Sequence, residues 1–314
     1  MTATIEGAAL DHVAVAVERW PDAWPRYATE LGGRWVSGGL NVGFGPAQLR
    51  FANGARVEVL QPWQPEDNPF LRRFLDRHGP GPHHLTFKVP DIEGALDLAR
   101  QAGFAPVGVD LTHPEWLEAF LHPRQATGIV VQLAQAAHGW ESPAPEGFPD
   151  PTGMAPASFL RVSHAVADLG VALELFERLL GGRVVRRGTA PDGTWECADV
   201  VWAAPPVLRL VAPASPAGRA GVPQAAQRAA VAPAVATWIG DLPGRLHHLA
   251  FATEGVLHTD NDDRSWRVSG APGSLPGVLL DDDAWHVIEP EDNLGTRLVL
   301  VRPPGSLDTE APAR

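Results

Sequence analysis

The sequence predicts an α+β fold of four tandem βαβββ modules paired into two domains, on three observations. Strand-like alternating runs and single amphipathic helices recur in the same order along the chain. The landmarks ELGG (Glu30–Gly33) and HHLTF (His83–Phe87) return as LLGG (Leu179–Gly182) and HHLAF (His247–Phe251). Finally, 32 glycines and 31 prolines in 314 residues imply many turns between short elements. The repetition divides the chain into a first domain at 1–135, a Pro/Gly-rich linker at 136–158, a second domain at 159–303 and a tail at 304–314.

In the first module, Leu10–Val17 (LDHVAVAV) alternates and is rich in valine, as a half-buried strand requires. Trp24, Tyr27, Ala28 and Leu31 fall at helical spacing, so a helix is expected over Trp20–Leu31, stopped at Gly32 and Gly33. Short strands are expected at Arg34–Val36, Asn41–Phe44 and Gln48–Phe51, and Ala55–Leu60 alternates until Pro62 halts it. The second module opens with a strand at His84, continues as a helix over Ile92–Gln101 with Gly103 as its stop, and ends in strands at Leu117–Leu121 and Ile129–Leu133. Phe70, Leu71, Phe74 and Leu75 mark a connecting helix within Asn68–His78.

After the linker the order returns: a strand at Phe159–Val166, a helix at Leu169–Leu180, a stop at Gly181 and Gly182, and a late strand at Pro206–Val211. Leu246–Ala252 opens the fourth module and Arg297–Val301 closes it. The Ala/Pro-rich stretch Ala212–Ala236 is expected as an added loop or short helix, and Thr259–Asp283 carries the acidic clusters DNDD and DDD. Neither cluster has the ligand spacing of a calcium loop, so a solvated loop is expected there.

Composition narrows the function. The formal charge of -12, from 25 basic and 37 acidic residues, argues against broad binding to nucleic acid or an anionic membrane. A single cysteine, Cys197, excludes an intramolecular disulfide framework and a Cys-rich zinc module. Met1–Gly7 lacks the features of a secretory signal, so a cytoplasmic protein is expected. No phosphate-binding glycine loop occurs, and the double glycines follow helices instead of opening them.

The polar residues inside apolar strands are the candidates for chemistry. His12 and His84 lie in the opening strands of the first two modules, and Glu58 and Gln132 each interrupt an apolar late strand. The strand period of two allows all four to share an inner face. As a pattern, this fits a mixed N/O site for a divalent transition metal or a set of satisfied core and cleft hydrogen-bonding groups.

The same residues resemble the vicinal oxygen chelate superfamily, which holds the glyoxalases, bleomycin-resistance proteins and extradiol dioxygenases and pairs βαβββ modules around a metal cleft. The first half is most similar to the methylmalonyl-CoA epimerases: LDHVAVAV, NPFLRRFLDRHGPGPHHLTFKVPDI and FLHPRQATGIVVQLAQ follow their pattern across Leu10–Gln135. Leu160–Pro303 resembles the superfamily only. The resemblance implies two glyoxalase-like domains, places His12, Glu58, His84 and Gln132 at the metal-ligand positions, and implies a divalent ion such as Zn, Fe, Mn, Co or Ni. The epimerases carry Gln and Glu in the opposite order at the two late-strand positions, so the ligand inventory is kept. They also carry an acid/base glutamate in the middle strands of the first module, whereas Arg34–Arg56 contains no Asp or Glu here. Proton transfer then falls to Glu58, as likeness to glyoxalase I allows, or to Glu118, His113 or Glu115 of the second module.

In the second half, His164 and His248 match His12 and His84, while Arg209 and Val299 replace Glu58 and Gln132. Arginine repels a divalent cation and valine cannot ligate one, so this cleft is expected to be metal-free. His164, Arg209 and His248 then hold a carboxylate or phosphate, or Arg209 pairs with an internal carboxylate of the scaffold. The expected function is a divalent-metal-dependent isomerase, epimerase or lyase that acts on a small carbonyl or carboxylic substrate through an enediolate-like intermediate, as a monomer or homodimer. The alternatives are an extradiol-type dioxygenase and a non-catalytic small-molecule or antibiotic-binding protein.

Overall fold

The computed structural model describes residues 4–137, 139, 141–149, 155–190, 193–214, 234–253 and 284–302. The first module comprises β1 (Ala9–Ala16), helix α1 (Trp20–Ala23, continuing with π-helical bonding over Trp24–Glu30), β2 (Arg34–Gly38), β3 (Gly45–Arg50) and β4 (Arg56–Gln61). Helix α2 (Phe70–His78) connects it to β5 (Gly81–Lys88), α3 (Ile92–Gln101), β6 (Val107–Asp110), β7 (Trp116–Leu121) and β8 (Val130–Ala136). The second half repeats the order with β9 (Ser158–Val166), α4 (Leu169–Leu173, π-bonded over Glu174–Leu179), β10 (Arg183–Thr189), β11 (Trp195–Val201) and β12 (Val207–Pro213). Helix α5 (Ala234–Ile239), β13 (Gly244–Ala252), β14 (Ala284–Ile288) and β15 (Leu298–Val301) follow. Both acidic clusters and most of the Ala/Pro-rich stretch lie outside the described residues.

Two mixed sheets result, one of eight strands in the order β2-β3-β4-β1-β5-β8-β7-β6 and one of seven in the order β10-β11-β12-β9-β13-β15-β14. Within the first, β1 runs parallel to β4 and antiparallel to β5, which runs parallel to β8. Two modules are thus joined edge to edge through β1 and β5, and β9 and β13 join the other two in the same way. Alternation along the strands sends Leu10, Val13, Val15, Leu85 and Phe87 into one apolar core that also contains Phe159, Val162, Leu249 and Phe251 of the second domain. The opposite faces form the clefts. In the first, α2 lays Leu71 and Leu75 on Ala14, Ala16 and Leu60; in the second, α5 lays Val235 and Ile239 on Ala165 and Val211.

The differences from the sequence expectations have local causes. Trp24, Tyr27 and Ala28 are buried on a helix that widens to π bonding, and the second copy widens likewise without a proline, so the widening belongs to the module. In both copies the second glycine of the stop donates its N–H to a carbonyl of the π segment, Tyr27 in one and Phe176 in the other. Asn41–Phe44 is a turn closed by a single bridge rather than a strand, with Gly43 at φ +96°. The strands β6 and β10 were not anticipated because both are largely exposed and neither has a buried apolar face to mark it. Described residues between β8 and β9 pack on the first domain: the Ser142 carbonyl accepts from Trp35 Nε1 at 2.8 Å, and the Phe148 ring lies 5.1 Å from Trp24.

The domains meet backbone to backbone at two matched points. A Cβ on Gly128 (φ +89°) would lie 1.9 Å from the Gly244 carbonyl, and one on Gly295 (φ +74°) would lie 1.8 Å from the Pro80 carbonyl. Beside the first point, fully buried His164 donates Nε2–H to the Thr127 carbonyl at 2.8 Å. Among the described residues, no helix is long and apolar enough to cross a membrane.

Burial pulls the His164 pKa down to about 4 from 6.5, against the opposing effect of its bond to Thr127. Between these values the unfolded chain binds one proton more than the folded chain, so this contribution is fully present above pH 6.5 and is lost as pH falls toward 4. The loss amounts to about 3 kcal/mol at the acid end. Urea unfolding near neutrality and in mild acid is expected to show a smaller acid loss for His164→Gln, which keeps an N–H for Thr127; an unchanged difference would rule out this linkage.

Candidate metal centre

The centre forms where β4, β1 and β5 lie side by side. Ala14 of β1 is paired with Glu58 of β4 on one side and His84 of β5 on the other, and His12 precedes Ala14 by one strand period. The small alanines leave the space above the sheet to the three larger side chains. All three are buried, and one candidate ligand atom from each lies within 4.8 Å of the others. Glu58 Oε2 is 3.5 Å from His12 Nε2 and 3.7 Å from His84 Nε2. Atoms each about 2.1 Å from one ion are about 3.4 Å apart at a tetrahedral angle, so these spacings suit a shared divalent ion. Both Nε2 atoms are buried without a hydrogen-bond partner, a costly condition that a metal would relieve.

Two irregularities in the β1–β5 pairing aim the imidazoles. Leu10 pairs with Phe87 and His12 with Thr86, which leaves Asp11 as the extra residue of a bulge; Ala14 pairs with His84 and Val15 with Pro82, which leaves His83 extra. Each extra residue meets the Nδ1 of the histidine that follows it. Asp11 Oδ2 is 2.8 Å from His12 Nδ1, and His83 Nδ1 is 2.8 Å from His84 Nδ1. Asp11 can only accept when ionised, so it fixes the proton of His12 on Nδ1 and turns the Nε2 lone pair toward Glu58 once the ring is neutral. His83 serves His84 in the same way when it accepts through Nδ1. Simple alternation points His83 away from the cleft; the bulge reverses that, and no composition signal marks it.

Gln132 and Glu118 form the next layer. Thr86 Oγ1 donates to Gln132 Oε1 at 2.5 Å, and Gln132 Nε2 donates to Glu118 Oε2 at 2.7 Å. Trp116 Nε1 donates to the same oxygen at 2.7 Å. The structure therefore gathers His12, Glu58 and His84, with Gln132 and Glu118 alongside. His113 and Glu115 stay exposed at the turn before β7. Sequence reasoning missed Asp11, Lys88 and Gln48, whose Nε2 donates to Glu58 Oε1 at 3.3 Å.

The electrostatics follow from burial and mutual contact. Burial opposes charge on His12, but Glu58 and Asp11 outweigh it and raise its pKa to about 9. Burial likewise opposes the Glu58 carboxylate, but His12 above all, with His84 and Gln48, lowers it to about 2. His84 is pushed well below the ordinary value, by burial first and by His83 next. Burial raises Glu118 despite its two N–H donors, and burial lowers Lys88 to about 8, with its ammonium 3.4 Å from the Trp116 ring centre.

The second cleft is built on a different set. Arg209 pairs with Ser163 and Ser163 with His248, so Ser163 occupies the place of Ala14 and His248 that of His84. The place of His12 belongs to Arg161, not His164: FLRVSHAV lies over LDHVAVAV, and His164 takes the place of Val15 on the core face. Matching histidine to histidine fails because the repeat keeps strand register rather than residue type. Arg209, at the position of Glu58, makes a two-pronged pair with Asp199 at 2.7 and 2.9 Å.

Residues 11–120 match the family model described as Glyoxalase/Bleomycin resistance protein/Dioxygenase superfamily. Similar solved structures include a hypothetical protein from Bacillus halodurans, at 24% identity and TM-score 0.39 over 44% of this chain and 100% of that one. A methylmalonyl-CoA epimerase from Mycobacterium tuberculosis is 25% identical at TM-score 0.39 over 44% and 93%. One from Streptomyces coelicolor, in complex with 2-nitronate-propionyl-CoA, is 22% identical at TM-score 0.37 over 41% and 98%. No curated protein matches.

Asp11→Asn is expected to weaken zinc binding roughly ten- to a hundredfold, the usual cost of losing a partner of a ligating histidine. Competition with a chromophoric chelator measures it, and wild-type affinity in this variant would contradict the role given to Asp11. Over residues 11–120 this chain resembles the glyoxalase/bleomycin resistance/dioxygenase superfamily, with a His–Glu–His cluster positioned to bind a metal.

Proposed function

We propose that the chain is a divalent-metal-dependent enzyme of the isomerase, epimerase or lyase type, acting on a small carbonyl or carboxylic substrate through an enediolate-like state. The observation that carries this reading is the buried pair of unpartnered imidazole nitrogens converging on one carboxylate. His12, Glu58 and His84 would hold the ion, with Gln132 as the fourth ligand. A divalent ion there supplies Lewis-acid polarisation of adjacent substrate oxygens.

The remaining work belongs to the chain. Glu118 is the proposed base: burial favours its taking up a proton, and Gln132 and Trp116 hold its carboxylate in one orientation. Lys88 lies on the same strand face as His84 and Thr86, and its lowered pKa of about 8 suits it to hold or return a proton near neutrality. His113, exposed and remote from these contacts, is assigned no part. Glu58, set between the two imidazoles, is assigned to the ion as a ligand rather than to proton transfer. Two histidines and one carboxylate also make the donor set of ferrous oxygenases, which favours an extradiol-type dioxygenase as the second reading.

The test is solvent exchange. Metal-loaded protein incubated in deuterated water with methylmalonyl-CoA and with small 2-oxo and 2-hydroxy acids is expected to place deuterium at the carbon beside the carbonyl of one of them. Glu118→Gln should slow that exchange by roughly a hundredfold or more with metal content unchanged. No exchange with any of these compounds, together with catechol-dependent oxygen uptake by the ferrous protein, would transfer the site to the second reading.

A further inference from the structure

The second cleft holds two buried polar groups that nothing in the described fold satisfies. Ser163 Oγ and His248 Nε2 are fully buried and have no hydrogen-bond partner. The two residues are direct cross-strand partners in β9 and β13, so they stand side by side on the cleft face. An unmet buried donor or acceptor costs about 1–3 kcal/mol, so two at adjacent positions call for a partner.

The proton on His248 can be placed from its neighbours. Arg297 Nη1, which can only donate, lies 2.6 Å from His247 Nε2, so that nitrogen accepts. His247 then carries its proton on Nδ1, 2.8 Å from His248 Nδ1, and donates it there. His248 is left with its own proton on Nε2, the atom aimed into the cleft. Burial, together with the surrounding arginines, keeps both rings neutral. This is the reverse of the first cleft, where His84 presents a lone pair. The same histidine doublet on the same bulge thus yields an acceptor for a cation in one domain and a donor for an anion in the other.

The surroundings fit that polarity. Arg161 and Arg209 occupy the positions of His12 and Glu58, and both act electrostatically on His248. Arg209 is steadied by Asp199. The other side of the cleft is apolar, with Ala250, Val287 and Val299 in the places around the lost ligand Gln132. We propose that the second domain binds a small oxyanion, a carboxylate carried on a short apolar group, through Ser163 Oγ–H and His248 Nε2–H in the positive field of Arg161 and Arg209. Neutral N–H and O–H donors beside guanidinium groups suit a singly charged carboxylate, whose bonds to such donors are stronger than those of a neutral acceptor.

Calorimetric titration of the full chain with sodium propionate, sodium phosphate and sodium chloride at equal ionic strength tests this. Propionate is expected to bind with a dissociation constant on the order of 1 mM or tighter. Ser163→Ala, which installs the residue that the first domain carries at the matching position, should weaken it about tenfold or more, and His248→Gln should weaken it further. His12→Ala should leave it unchanged, which separates this site from the metal centre. Tighter binding of phosphate with the same response to both variants would support an oxyanion site with a tetrahedral ligand. Binding of none of the three, or binding of propionate that survives both Ser163→Ala and His248→Gln, would overturn the proposal.

Discussion

The antiparallel pairing of β1 with β5 both joins two modules into one sheet and decides where the polar side chains at the joint can point. Perfect pairing would alternate every residue, sending Asp11 and His83 to the face opposite the histidines that follow them. Two extra residues in the ladder prevent this. Each bulge bends the strand locally and brings a neighbour to the rear nitrogen of a ligand candidate, so His12 and His84 are oriented by residues adjacent to them in sequence. The same irregularities recur between β9 and β13, where they place His247 behind His248. The candidate metal centre and the oxyanion site are therefore two outcomes of one backbone arrangement, separated by the side chains placed on it.

That arrangement is stable only because the other faces of both sheets share a core. Phe51, Phe159 and Phe251 pack together across the domain boundary, as do Phe87, Phe176 and Trp202. At the edges of this core the backbones touch directly at Gly128 with Gly244 and at Gly295 with Pro80. A side chain at either glycine would force the domains apart, so the repeat is locked into one relative placement by atoms that carry no chemistry of their own. The first cleft can then keep His12 and Glu58 buried, with Asp11 half-buried behind them, on a face that the shared core does not use.

Much of this was legible in the sequence for a physical reason. The opening strands, α3 and the double-glycine stops announce themselves because burial on one face imposes a period and helix ends impose glycine. His12, Glu58, His84 and Gln132 stood out as polar residues inside apolar strands, and the structure brings the first three into one cluster. Bulges were not legible, since an extra residue leaves no mark on composition, and so Asp11 and His83 were passed over as partners. The same blindness to register misplaced His164, which belongs to the core face while Arg161 occupies the cleft. Lys88 was hidden because its meaning depends on Trp116, from a different strand.

The central claim is that His12, Glu58 and His84 are ligands to one ion rather than a self-satisfied cluster of buried charges. X-ray absorption at the zinc edge on the full chain loaded with a single equivalent of zinc addresses it directly, compared with Glu58→Gln. The account predicts scattering from two imidazole rings and light oxygen neighbours in the wild type, with sharply weaker uptake in the variant. Zinc that shows no imidazole scattering, or that loads equally well in both proteins, would contradict it.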